Sequence, residues 1–140
     1  MLDFSAEPWP PVPQGPSTSV SRILVVDDDP EIRSTLKKLL EMKGHHVVLA
    51  ADGRAAETAL TGDPFDLMVT DIVMPDQDGL EVIRITRAAH PDMPIIAISG
   101  GGRLRTGNYL RLATAMGAAT ALEKPFAFEE FLNAVNASLT

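Results

Sequence analysis

Five short apolar runs, each followed by a stretch with helical periodicity, restrict this chain to a narrow set of folds. The runs cover residues 22–26, 46–50, 67–70, 94–98 and 120–122. Apolar runs this short, bounded by turn residues, read as strands buried on both faces. Helices are predicted between them. The first is the best marked, with Asp29 as N-cap, Pro30 at the first helical position and Gly44 as its stop. Ile32, Leu36, Leu39 and Leu40 give it an apolar stripe. Further helices are predicted over residues 53–61, 80–89, roughly 106–116, and Phe128–Leu139. The last carries Phe128, Phe131, Leu132 and Val135 on one face. Strict alternation of strand and helix implies an α/β fold, a parallel sheet with helices on both sides.

The composition suits one such domain. The 140 residues are 45% hydrophobic and 22% charged, which is globular rather than disordered. No apolar run approaches the ~18 residues of a membrane span, and no signal peptide is visible, so no membrane association is expected. The net charge of -7 opposes nucleic-acid binding. The absence of cysteine excludes disulfides, thiolate metal sites and Cys nucleophiles and suits a cytoplasmic location. Residues 1–20 stand apart. Five of the eleven prolines lie there, at Pro8, Pro10, Pro11, Pro13 and Pro16. This composition reads as a disordered or polyproline-like tail, leaving residues 21–140 as the folded domain. Trp9, the only Trp, reads as an incidental aromatic of that tail, with a docking anchor as the alternative.

Chemistry in an open parallel sheet collects beyond the carboxyl ends of the strands. The first strand runs into Asp27-Asp28-Asp29, the third into Asp71 and the fourth into Ser99. Lys124-Pro125 follows the fifth. These groups share one edge and make an acidic pocket with a hydroxyl and an ammonium beside it. Clustered carboxylates repel one another, and a hard divalent cation is the natural remedy. Mg²⁺ takes oxygen ligands and keeps several waters, so a few carboxylates plus a phosphate suffice. A carboxylate, Mg²⁺, a hydroxyl and an ammonium are what phosphoryl transfer to Asp71 requires. The Asp71 oxygen attacks in line. The metal and Lys124 stabilise the equatorial oxygens, and Ser99 donates a hydrogen bond to one of them.

These residues carry a resemblance. Asp27-Asp28 after a Val-Val strand, Asp71 followed by Met74-Pro75 and Gly79, Ser99 after residues 95–98, and Lys124-Pro125-Phe126 are similar to the receiver domain of response regulators in bacterial two-component systems. The likeness runs from about Ser21 to Leu139. It implies a flavodoxin-like five-stranded sheet of order 2-1-3-4-5. It implies that Asp71 accepts a phosphoryl group from a phosphohistidine on a sensor histidine kinase or phosphotransfer protein, with slow self-dephosphorylation and no classical enzyme activity. Asp28 and Asp71 would bind Mg²⁺ directly together with the Val73 backbone carbonyl, and Asp27 through water. Lys124-Pro125 would be joined by a cis peptide. A downstream protein partner, or a second copy in a homodimer, would meet the fourth helix, fifth strand and last helix. No output domain is expected after Thr140, so the chain reads as a stand-alone receiver.

Three features depart from the family pattern. Ala121 stands three residues before Lys124, where the family commonly has an aromatic. The stretch from Ser99 to Lys124 is lengthened at Gly100-Gly101-Gly102, and no output domain is expected to follow. Two other readings stay open: a degenerate receiver that only binds proteins, and a Mg²⁺-dependent phosphatase with an Asp nucleophile. Arg103, Arg105 and Arg111 surround Tyr109 and read as a solvated helix face, with a partner surface as the alternative. His45, His46 and His90 read as ordinary strand-edge and helix-end residues.

Overall fold

The strand β1 (Arg22–Val26) sends Ile23 and Val25 to one side and Leu24 and Val26 to the other, and all four side chains are buried. That two-residue alternation splits the interior into two cores on opposite faces of one sheet. The computed structural model describes residues 20–72, 79–99, 111 and 113–139. Expectations placed on residues 1–19, 73–78 and 100–110, Val73 and Trp9 among them, lie outside these.

After β1 come α1 (Pro30–Met42), β2 (His46–Ala50), α2 (Gly53–Leu60), β3 (Leu67–Asp71), α3 (Gly79–Ala89) and β4 (Ile95–Ser99). Helical backbone at residues 111 and 113–115 is called α4 here. It is followed by β5 (Thr120–Glu123) and α5 (Phe128–Leu139). The sheet is parallel throughout, in the order β2-β1-β3-β4-β5. The expected doubly wound, flavodoxin-like architecture is therefore the observed one. Leu36 and Leu40 of α1 and Phe131 and Val135 of α5 cover one face, against Val25, Val69 and Ile98. Ala56 of α2, Val82 and Ile83 of α3 and Ala113 of α4 cover the other.

Local chemistry sets the helix ends. The Asp29 side chain accepts from the Glu31 N–H, with Pro30 at the first position. At the far end, Gly44 at φ +90 donates to the Glu41 carbonyl and His45 N–H to the Leu40 carbonyl. That pair of bonds is a Schellman stop, which a residue with a Cβ closes only under strain. The stop tucks His45 inside. His45 is thus a helix-end residue, as expected, and a buried one, and burial pushes its pKa below the ordinary histidine value against the pull of Asp66.

The central strands run one residue further than their apolar content suggests. Asp71 pairs with Ile98 and Ser99 with Glu123 inside the ladder. Conversely, β4 starts at Ile95, not Pro94, because proline has no N–H to donate.

Candidate functional site

The register gathers the polar residues at one edge. Val26 pairs with Thr70, so the next residues, Asp27 and Asp71, leave β1 and β3 side by side. Asp71 pairs with Ile98, and Ser99 comes one step later. The Lys124 N–H donates to the Ser99 carbonyl at 2.7 Å and ties the end of β5 to the end of β4. Because β3 is the middle strand, Asp71 has a neighbour on each side.

Oxygens of Asp27, Asp28 and Asp71 lie within 4.8 Å of one another. Asp27 and Asp71 are buried and Asp28 is exposed, so the cluster opens to water through Asp28. Lys124 Nζ donates to Asp27 Oδ2 at 2.9 Å and lies 3.4 Å from Asp71 Oδ2. Burial alone would lower the Lys124 pKa. The hydrogen bond and charge of Asp27, aided by Asp71, outweigh it and hold the ammonium above the ordinary lysine value. The Lys124-Pro125 peptide is cis. Ser99 is fully buried, and its Oγ has no hydrogen-bond partner among the described residues. A buried hydroxyl left unpaired is costly unless a further acceptor is brought to it.

Asp27, Asp28, Asp71, Ser99 and Lys124 thus converge, while Val73 lies outside the described residues. Two supporting contacts have no sequence signal. Arg33, one turn into α1, donates from Nη1 to the Asp27 carbonyl at 2.7 Å. The Asp29 N–H donates to Asp27 Oδ1 at 2.9 Å, so Asp29 serves the cluster as well as the helix. The donor set, three carboxylates opening to water through Asp28, fits a hard oxygen-seeking cation such as Mg²⁺ better than a soft one.

Lys124→Met is expected to lower stability by about 2 kcal/mol at neutral pH, the scale of a hydrogen bond between charged groups. The folded-state pKa is raised. The stabilisation is therefore complete below the ordinary lysine value of about 10.4 and lost as pH rises through the folded value. Urea unfolding with a chelator present should show a gap between wild type and variant that is constant at neutral pH and closes in alkali. A gap that is absent at neutral pH, or unchanged in alkali, contradicts this account.

The family model described as response regulator receiver domain matches residues 23–136. The response regulator MprA of Mycolicibacterium vanbaalenii is 42% identical over 119 residues, covering 84% of this chain and 50% of that protein. MprA of Mycobacterium tuberculosis is 41% identical over the same length. The chain thus spans about half the length of these curated relatives. Among solved structures, a CheY-like receiver domain protein from Methanospirillum hungatei superposes with a TM-score of 0.79 at 29% identity, covering 86% of this chain and 94% of that one. The beryllofluoride-activated NtrC4 receiver domain dimer gives 0.76 at 36% identity, covering 84% and 95%.

Proposed function

Because this chain belongs to the response regulator receiver domain family, we propose that it takes a phosphoryl group on Asp71 and signals through a changed protein-binding surface. The observation that carries the reading is the convergence of three carboxylates, a paired lysine and an unpartnered buried hydroxyl at one sheet edge.

The donor is a phosphohistidine of a sensor kinase or phosphotransfer protein. An Asp71 carboxylate oxygen attacks phosphorus in line, the new P–O bond forms as the P–N bond breaks, and the leaving imidazole takes up a proton. Asp28 and Asp71, together with the Val73 carbonyl, would hold Mg²⁺, and Asp27 would act on it through water. When bound, the ion offsets the negative charge of the incoming phosphoryl oxygens. Lys124 then meets one of those oxygens as a second counter-charge, and Ser99 Oγ gains the acceptor it lacks among the described residues. The product is a mixed anhydride that water cleaves slowly, so the chain acts as phosphoacceptor rather than as a turnover enzyme.

The phosphorylated form favours one of two pre-existing arrangements. Its altered face, formed by α4, β5 and α5, meets a downstream protein or a second copy. A cytoplasmic location and the absence of a nucleic-acid partner go with this reading. No helix among the described residues is long and apolar enough to cross a membrane.

Incubation with Mg²⁺ and a small phosphodonor tests it. Wild type should gain one hydroxylamine-labile phosphate, and peptide mapping should place it on Asp71. No label, or a label on another residue, removes the proposal. Ala121 favours a second reading, a receiver that binds partners without switching. If phosphorylation leaves the amide spectrum of α4 and β5 unchanged, that reading takes its place.

A further inference from the structure

We propose that the segment around Trp9, residues 8–13, docks in an apolar cavity of its own chain between α1 and the β5–α5 connection. The cavity has a volume of about 490 Å³ and is lined by Ile32 and Thr35 of α1, by Pro125, Phe126 and Phe128 opposite them, and by Lys124. Phe128 is 56% exposed at its rim, which leaves an aromatic ring in water without a partner among the described residues. Phe126 stacks on the buried Phe131 with ring centroids 5.8 Å apart, so that wall is held in place. An aromatic-lined groove is the surface that proline-rich segments recognise, because their extended helix loses little entropy on docking. The sequence supplies such a segment in Pro8-Trp9-Pro10-Pro11-Val12-Pro13. Its indole is the largest apolar group available to fill the space.

Chain length permits the contact. Val20 precedes β1 at the amino edge of the sheet, whereas the cavity lies at the carboxyl edge. Five residues of β1 rise about 17 Å. Crossing from sheet to helix layer adds about 10 Å sideways, which makes a span of about 20 Å. From Trp9 to Val20 there are eleven residues, 20 − 9. They reach about 34 Å as a polyproline helix and about 18 Å on average as a flexible chain. A tether whose mean length matches the span gives an effective concentration near its maximum, in the millimolar range. A weak contact is then well populated within one molecule.

Trp9 is the only tryptophan, so fluorescence excited at the red edge of the indole band, beyond the absorption of Tyr109, reports on it alone. Emission should be blue-shifted and acrylamide quenching about threefold weaker than for a synthetic peptide of residues 1–19, as for a buried indole. Phe128→Ala, at an exposed position, should return both to the peptide values. In amide spectra of the full chain, Trp9→Ala should shift Ile32, Thr35, Phe126 and Phe128. Quenching equal to that of the peptide overturns the proposal, as does protection that survives Phe128→Ala. Protection lost on dilution also overturns it, since the occupant would then be the segment of a second copy. Shifts confined to other residues do the same.

Discussion

Asp71→Asn is expected to lower phosphate uptake from a small phosphodonor by at least about 100-fold, because an amide oxygen is a far weaker nucleophile than a carboxylate. The variant should remain folded. Asn has the same shape, and the attraction lost to Lys124 at 3.4 Å is offset by relief of repulsion from Asp27 and Asp28. Stability should therefore change by no more than about 1 kcal/mol. Mg²⁺ affinity should fall by about tenfold, since one of three anionic donors is gone. Labelled phosphodonor uptake, chelator-controlled Mg²⁺ titration and urea unfolding read the three quantities separately. Uptake by Asp71→Asn equal to wild type would sink the assignment, even if Mg²⁺ binding had weakened as expected.

The fold was legible because its strands are buried on both faces and so contain little but apolar residues. Residues 22–26 and 46–50 needed no help from periodicity. The helices announced their ends through Asp29, Pro30 and Gly44, whose cap geometry matches the sequence expectation. What escaped was the pairing of polar residues inside the ladder. Asp71 and Ser99 look like loop residues by type, yet hydrogen bonding depends on the backbone and not on polarity. His45 escaped for a related reason. Its burial comes from the turn geometry of Gly44, not from hydropathy.

The site residues were legible as a set and not singly. Asp27, Asp71, Ser99 and Lys124 each follow or end a different strand, and parallel order alone brings those ends to one edge. Arg33 and the second role of Asp29 were not legible. A contact between Arg33 Nη1 and a main-chain carbonyl leaves no constraint on sequence spacing that a reader could recognise. Lys124 is an intermediate case. Its place after β5 is a spacing, but its ion pair with Asp27 across the pocket requires the strand order β1-β3-β4-β5.

Gly79→Ala is expected to be the most damaging glycine-to-alanine substitution among the described residues. A Cβ at this position would stand 2.2 Å from the Asp71 carbonyl oxygen and 2.3 Å from Ile72 Cα. Both neighbours are backbone, so no side chain can turn aside to make room. The backbone itself is fixed. Ile72 N–H donates to the Ile98 carbonyl at 2.9 Å, and Gly79 N–H donates to the Ile72 carbonyl at 3.3 Å. Relief requires the start of α3 to move away from the end of β3. That movement uncovers Ile72, Val82 and Ile83, all fully buried in one core. The helix-propensity gain of alanine over glycine, about 1 kcal/mol, cannot offset it. A loss of about 4 kcal/mol or more follows, or a melting temperature lower by at least about 12 °C for a domain of this size. Because the displaced atoms include the Asp71 carbonyl, the surviving folded fraction should also bind Mg²⁺ more weakly. Gly79→Ala with wild-type melting would show that the β3–α3 junction yields easily, and the rigid placement of Asp71 argued from it would fall.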